Sequence, residues 1–113
     1  PFMKSNRLRA IAVSSKTRFP ALPDLPTFHE SGVPGFETST WFGLLAPAGT
    51  PGPVIAKING DVGKILASSE MRERLISMGQ VAGGESPEAF GKFIREEITR
   101  YAKIIKAADI PLQ

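Results

Sequence analysis

Thr38-Ser39-Thr40-Trp41-Phe42-Gly43-Leu44-Leu45-Ala46, continuing as Pro47-Ala48-Gly49-Thr50-Pro51, is the stretch on which the fold reading turns. Its first half is β-branched and aromatic, then apolar, which predicts a strand over residues 38–46. Two prolines and a glycine end that strand within five residues. Thr50 then stands as a candidate N-cap, with Pro51 near the first helical position, where a missing N–H costs nothing. Downstream, Val54, Ile55, Ile58, Val62, Ile65 and Leu66 recur at helical spacing along one stripe. A strand that hands over directly to an amphipathic helix is the signature of an α/β chain.

Reading outward from this junction extends the same pattern. Toward the C-terminus a second helix is predicted over residues 69–78, with Met71, Leu75 and Met78 inward and Gly79 as its stop. Gly60 and Gly63 weaken the first helix and are candidates for close packing. Residues 80–82 read as a short strand. Ser86-Pro87-Glu88 opens the longest helix, whose stripe is Phe90, Phe93, Ile94, Ile98, Tyr101, Ile104 and Ile105 and which ends near Ala108. On that helix Glu96 is expected to pair with Arg100 at i+4. Toward the N-terminus residues 8–13 form a short apolar run ending at Ser14-Ser15, a buried strand in prospect. Thr27-Phe28-His29-Glu30 has capping-box spacing and Gly32 stops it, so one or two helical turns are expected over residues 27–31. Val33-Pro34-Gly35-Phe36 reads as a turn.

This inventory holds two full-length strands, one three-residue strand, three longer helices and the short helical segment over residues 27–31. Sheets usually hold about 4–6 strands. The helices therefore carry more apolar surface than the chain's own strands can cover. The sequence also opens Pro1-Phe2-Met3 with no basic-then-apolar leader. Both features lead us to expect a portion of a larger fold with an incomplete sheet.

Composition narrows the function classes. The chain has 113 residues, 42% hydrophobic and 22% charged, which is ordinary for a globular domain. With no cysteine and one histidine, disulfides, thiolate metal sites and multi-histidine sites are excluded. No clustered Asp/Asn pattern suggests a hard-cation site. The net charge of +3 is spread along the chain, so no nucleic-acid partner is expected. Neither glycine-rich nucleotide motif is present, and no cofactor is expected.

Catalytic constellations are poor. His29 would need an oriented partner and a pocket to act as a base. Ser14 and Ser15 follow a strand but lack a nucleophile elbow. The Gly83-Gly84 pair before a helix reads as a loop allowing positive φ. The most ligand-like segment is Ser14-Ser15-Lys16-Thr17-Arg18. It places hydroxyls and cations beyond a strand's C-terminal end, where ligands bind in open α/β sheets. An arginine there could grip a carboxylate with two parallel hydrogen bonds. Trp41 could line a pocket or a hinge, or pack in a core.

Several stretches together resemble a known family. They are Arg7-Leu8-Arg9-Ala10-Ile11-Ala12-Val13-Ser14-Ser15, Ala21-Leu22-Pro23-Asp24-Leu25-Pro26-Thr27 and Glu30-Ser31-Gly32-Val33-Pro34-Gly35-Phe36-Glu37. With them go Trp41-Phe42-Gly43-Leu44-Leu45-Ala46-Pro47-Ala48-Gly49-Thr50-Pro51 and, in the tail, Arg72-Glu73-Arg74-Leu75, Gly79, and Ser86-Pro87-Glu88 through Phe93-Ile94-Arg95-Glu96-Glu97. The combination resembles the Bug/TctC-type receptors of tripartite tricarboxylate transporters across nearly the whole chain. The resemblance implies the C-terminal part of a two-lobe, type II-like periplasmic binding-protein fold. Residues 1–36 would complete lobe 2, residues 37–46 would be a crossover or hinge strand, and residues 47–113 would complete lobe 1. It further implies a periplasmic, non-enzymatic receptor for a small carboxylate: a di- or tricarboxylate, an amino acid or an aromatic acid. The receptor would pass that ligand to membrane permease subunits. Among the matched positions Ser14, Ser15, Thr40 and Trp41 are expected to face the ligand cleft, while the family's principal ligand loops lie outside these residues. Two other classes stay open on the residues alone: a small hydrolase using Ser14 or Ser15 with His29, and an interaction module built on the long helix. A chain carrying two incomplete lobes should self-associate, with exchange of segments between copies as one route.

Overall fold

Three helices carry the regular structure of the computed structural model, which describes Ser5 and residues 7–111. Helix α1 spans Gly52–Ala67, α2 spans Ser69–Ser77 and α3 spans Pro87–Ala107. The chain divides into two compact units: residues up to Leu45 together with Ile76–Gly79, and Ala46–Leu75 together with residues from Gln80 onward.

The helix ends follow from local chemistry. The cap of α1 is Pro51, not Thr50. The Thr50 hydroxyl instead donates to the Pro47 carbonyl at 2.8 Å, closing a turn that needs Gly49 at φ +82°. The expected N-cap is thus committed to the preceding turn. Ser68 serves both neighbouring helices. Its hydroxyl donates to the Ile65 carbonyl at the end of α1 and accepts from Met71 N–H at the start of α2. Helix α2 ends as expected at Gly79, where Gly79 N–H bonds Ile76 O and Gln80 N–H bonds Leu75 O. That is the Schellman pattern, with Gly79 at φ +80°. Ser86 caps α3 by accepting from Ala89 N–H at 3.2 Å. At its far end Asp109 takes φ +50° and Ile110 N–H returns to Ile105 O.

Helices α1 and α3 touch, and Asn59 on α1 donates to the Glu85 carbonyl just ahead of α3 at 3.0 Å. The apolar stripe of α1 splits lengthwise. Ile55, Val62 and Leu66 are half-buried, whereas Val54, Ile58 and Ile65 on the adjoining flank remain exposed. On α3, Phe90, Phe93, Ile94 and Ile105 are half-buried while Ile98, Tyr101 and Ile104 are exposed. Phe90 and Phe93 stack with ring centres 6.4 Å apart. Met78 turns outward rather than in. A methyl group at Gly60 or Gly63 would meet nothing within 4 Å, so among the described residues neither glycine permits close packing.

The expected pairing of acids on α3 shifts by one position. Arg100 bonds Glu97 at 2.7 Å, and Glu96 lies 3.7 Å from Lys92. Glu97 falls on the apolar arc and is only 9% exposed. Arg100 reaches back to it while lying over the Tyr101 ring at 5.0 Å. Glu96 lies on the polar face.

In the first unit Val13 and Thr27 form an isolated parallel bridge. Val13 N–H donates to Pro26 O and Phe28 N–H to Val13 O, at 2.9 and 3.0 Å. Among the described residues no strand ladder forms at 8–13, 38–46 or 80–82, so the expected strands do not make a sheet. The reason is physical: a strand exists only against a neighbour, and among the described residues only the run 8–13 finds one, in the single bridge from Val13 to Thr27. Many of their apolar side chains stay in solvent, with Ile11 and Leu45 each 80% exposed. No apolar residue among those described is fully buried.

Candidate ligand-binding site

A hydrogen-bond network in the first unit surrounds Thr27, which is 3% exposed. Glu30 N–H donates to the Thr27 hydroxyl at 3.1 Å, and Thr27 N–H donates to a Glu30 carboxylate oxygen at 2.8 Å. This is the expected capping box. It closes a turn that Val33 N–H to Phe28 O ends around Gly32 at φ +94°. The segment stays a turn rather than a helix. Phe36, brought round by the Val33–Phe36 turn, packs on Phe28 with ring centres 5.0 Å apart.

Arg18 docks onto this turn. Its Nε donates to both Glu30 oxygens, at 3.0 and 3.2 Å, and one Nη donates to the Pro23 carbonyl at 3.0 Å. The Arg18 hydrogen bond, aided by the Thr27 amide, draws the Glu30 carboxyl from its ordinary 4.5 down to about 2. The same bond raises Arg18 above its usual value. The arginine that could have gripped a ligand carboxylate therefore grips an internal one. That twelve-residue link was invisible in the sequence, where only the Thr27–Glu30 spacing could be read.

Of the four residues expected to face a ligand, Ser14 and Ser15 are half-buried at the end of the bridged segment. The Ser15 hydroxyl donates to Thr17 O at 2.8 Å, turning the loop back on itself. The Ser14 carbonyl accepts from Thr38 N–H at 2.9 Å. This bond brings residue 14 alongside the segment that continues into Thr40 and Trp41. Thr40 is exposed, and Trp41 is 40% exposed. The structure thus joins the two stretches through their backbones.

A catalytic reading finds no support in this geometry. His29 Nδ1 accepts from Gly35 N–H at 3.2 Å, which holds the ring against its own turn. The Ser15 hydroxyl is occupied by a carbonyl. Among the described residues no group of three or more acids, histidines or cysteines could hold a metal, and no helix is long and apolar enough to cross a membrane.

Comparison with known proteins agrees with this picture. The family model described as the tripartite tricarboxylate transporter family receptor matches residues 1–110. A Pseudomonas sp. protein encoded in the tcbD–tcbE intergenic region is 38% identical over 102 residues, covering 89% of this chain and 30% of its own length. A structure of the periplasmic binding protein BugD superposes with TM-score 0.79 at 38% identity, covering 99% of this chain and 38% of BugD. A Rhodopseudomonas palustris protein solved with adipate gives TM-score 0.80 at 37% identity over 96% of this chain and 36% of its own. MatC from the same organism, solved with bound malate, gives 0.74 at 34% identity over 93% and 37%. The chain thus spans about a third of the length of each of these four proteins, and what it shares with the solved ones is part of a periplasmic binding-protein fold. The family and these neighbours are substrate-binding receptors, not enzymes. By its family match, its relatives and its structural neighbours, the chain belongs to the tripartite tricarboxylate transporter receptors of the Bug type.

Proposed function

We propose that the chain is the C-terminal portion of a periplasmic solute receptor that holds a small carboxylate and passes it to membrane permease subunits. One observation carries this reading. Two solved neighbours that cover nearly all of this chain at over 30% identity hold adipate and malate, both small dicarboxylates. The proposed division follows the resemblance: residues 1–36 in one lobe, 37–46 as the crossover, and 47–113 in the other. The parting of the two compact units between Leu45 and Ala46 supports a boundary at the end of the crossover. Ser14, Ser15, Thr40 and Trp41 are proposed to face the ligand. The Ser14–Thr38 backbone bond supports that grouping. Arg18 is left out because Glu30 holds it.

The exposed flanks of α1 and α3, and the apolar residues Phe42, Leu44 and Leu45, are proposed to be covered by other parts of the two-lobe fold. The same surfaces would drive the 113-residue chain by itself to self-associate. A monodisperse monomer in light scattering would refute that corollary.

The test of the receptor reading is ligand-induced stabilisation of the full-length protein with malate, adipate and a panel of tricarboxylates, amino acids and aromatic acids. A bound ligand at a hundredfold excess over Kd stabilises by about 2.7 kcal/mol. Trp41→Phe should retain the thermal shift while reducing any ligand-linked change in fluorescence. Absence of a shift with every member of the panel overturns the reading.

A further inference from the structure

We propose that the polar face of α3 is a docking surface for an acidic patch on a partner protein. Lys92, Arg95, Thr99, Lys103 and Lys106 follow one another at i, i+3, i+7, i+11 and i+14. At about 1.5 Å per residue they form a row about 21 Å long down one side of the helix. All five are exposed. Between residues 92 and 106 the four cations of the row and Arg100 stand against two carboxylates, an excess equal to the +3 of the whole chain. One of those carboxylates, Glu97, is turned to the apolar arc and held by Arg100, so it does little to neutralise the row. The other, Glu96, sits within the row beside Lys92 at 3.7 Å, a weak and solvated pair.

The position of Glu96 favours a protein over an anionic lipid surface. A plane of phosphates would press negative charge onto Glu96 as well as onto the lysines. A folded partner can set acids against Lys92 and Lys103 and a cation against Glu96, the sign-matched pattern that confers specificity and speeds association. The proposal rests on the receptor reading, because the partner it fits is an acidic surface of the membrane subunits that take over the ligand.

The experiment uses the full-length receptor with three variants: Lys92→Glu/Arg95→Glu/Lys103→Glu, the milder Lys92→Gln/Lys103→Gln, and Glu96→Lys. Malate and adipate binding is measured by calorimetry. Association is measured on vesicles with and without the membrane subunits, at low and at near-physiological salt. The expected result is unchanged ligand binding in every variant. The triple variant should associate at least about tenfold more slowly at low salt, and the double variant by less. The difference should shrink near 0.15 M salt, where screening acts within about 8 Å. Glu96→Lys should also slow association. Ligand binding intact with unchanged association in the triple variant overturns the docking surface alone. Equal binding to phosphatidylglycerol vesicles lacking the subunits, strengthened by Glu96→Lys, overturns the protein partner in favour of a membrane. Failure of the unaltered receptor to bind any carboxylate overturns the receptor reading, and this proposal with it.

Discussion

Replacing Thr27 separates the hydroxyl's work from that of the methyl group. The side chain is almost wholly enclosed, its oxygen accepts from Glu30 N–H, and its backbone forms the bridge to Val13. Thr27→Val keeps the shape and deletes the acceptor. Loss of a capping oxygen costs about 1 kcal/mol. Thr27→Ala also removes a buried methyl, at about 0.8 kcal/mol per carbon. The two changes together come to about 1.8 kcal/mol, about a twentyfold rise in local opening, against about fivefold for Thr27→Val. Thr27→Ser should fall near the methyl cost alone. Amide hydrogen exchange reads this directly, because opening of a small unit is visible without global unfolding. The Glu30 amide should exchange faster in Thr27→Val. The Val13 and Phe28 amides, bonded backbone to backbone, should be protected nearly as before. Both should accelerate in Thr27→Ala. Equal protection of the Glu30 amide in Thr27→Val and the parent chain would refute the reasoning, since the cap would then contribute nothing.

The Arg18–Glu30 bond predicts a pH dependence of definite sign. The Glu30 carboxyl falls from 4.5 to about 2 on folding, so its stabilising contribution is complete above pH 4.5 and is lost as the pH drops toward 2. Carboxyl NMR should place its midpoint near 2, and Arg18→Ala should return it toward 4.5. A midpoint already near 4.5 in the parent chain would contradict the geometry. On α3, Glu97→Ala removes the acceptor of the 2.7 Å bond from Arg100. Bonds to charged groups contribute about 1.5–3 kcal/mol. Because the Arg100 side chain is 36% exposed and can rehydrate, thermal melting should report about 1–2 kcal/mol. Glu97→Leu places an apolar group on an apolar arc and should lie near neutral. If Leu and Ala destabilise alike, the pair is not what holds Glu97 there.

Much of the local structure was legible from short-range chemistry. Ser86 before Pro87, Gly79 after a helical run, the Thr27–Glu30 spacing and the Val33–Phe36 turn each depend on groups a few residues apart. Sequence distance is then a fair proxy for spatial distance. The same proximity explains the errors. Thr50 and Glu96 each had two partners in reach, and which one wins depends on atoms the spacing does not locate. Thr50 took the Pro47 carbonyl, and Arg100 took Glu97 on the apolar arc.

The family, too, could be recognised from the motif sequence, since Trp41 through Pro51 and the Leu22 to Thr27 stretch carry it without coordinates. Tertiary structure alone decided what Arg18 does and which flank of α1 is covered. It also set Ser14 beside Thr38. Each of these joins parts of the chain a dozen or more residues apart, or depends on which side of a helix meets a neighbour. A strand-like run or an amphipathic stripe declares what it needs to bury, but only the packed chain fixes which surface buries it.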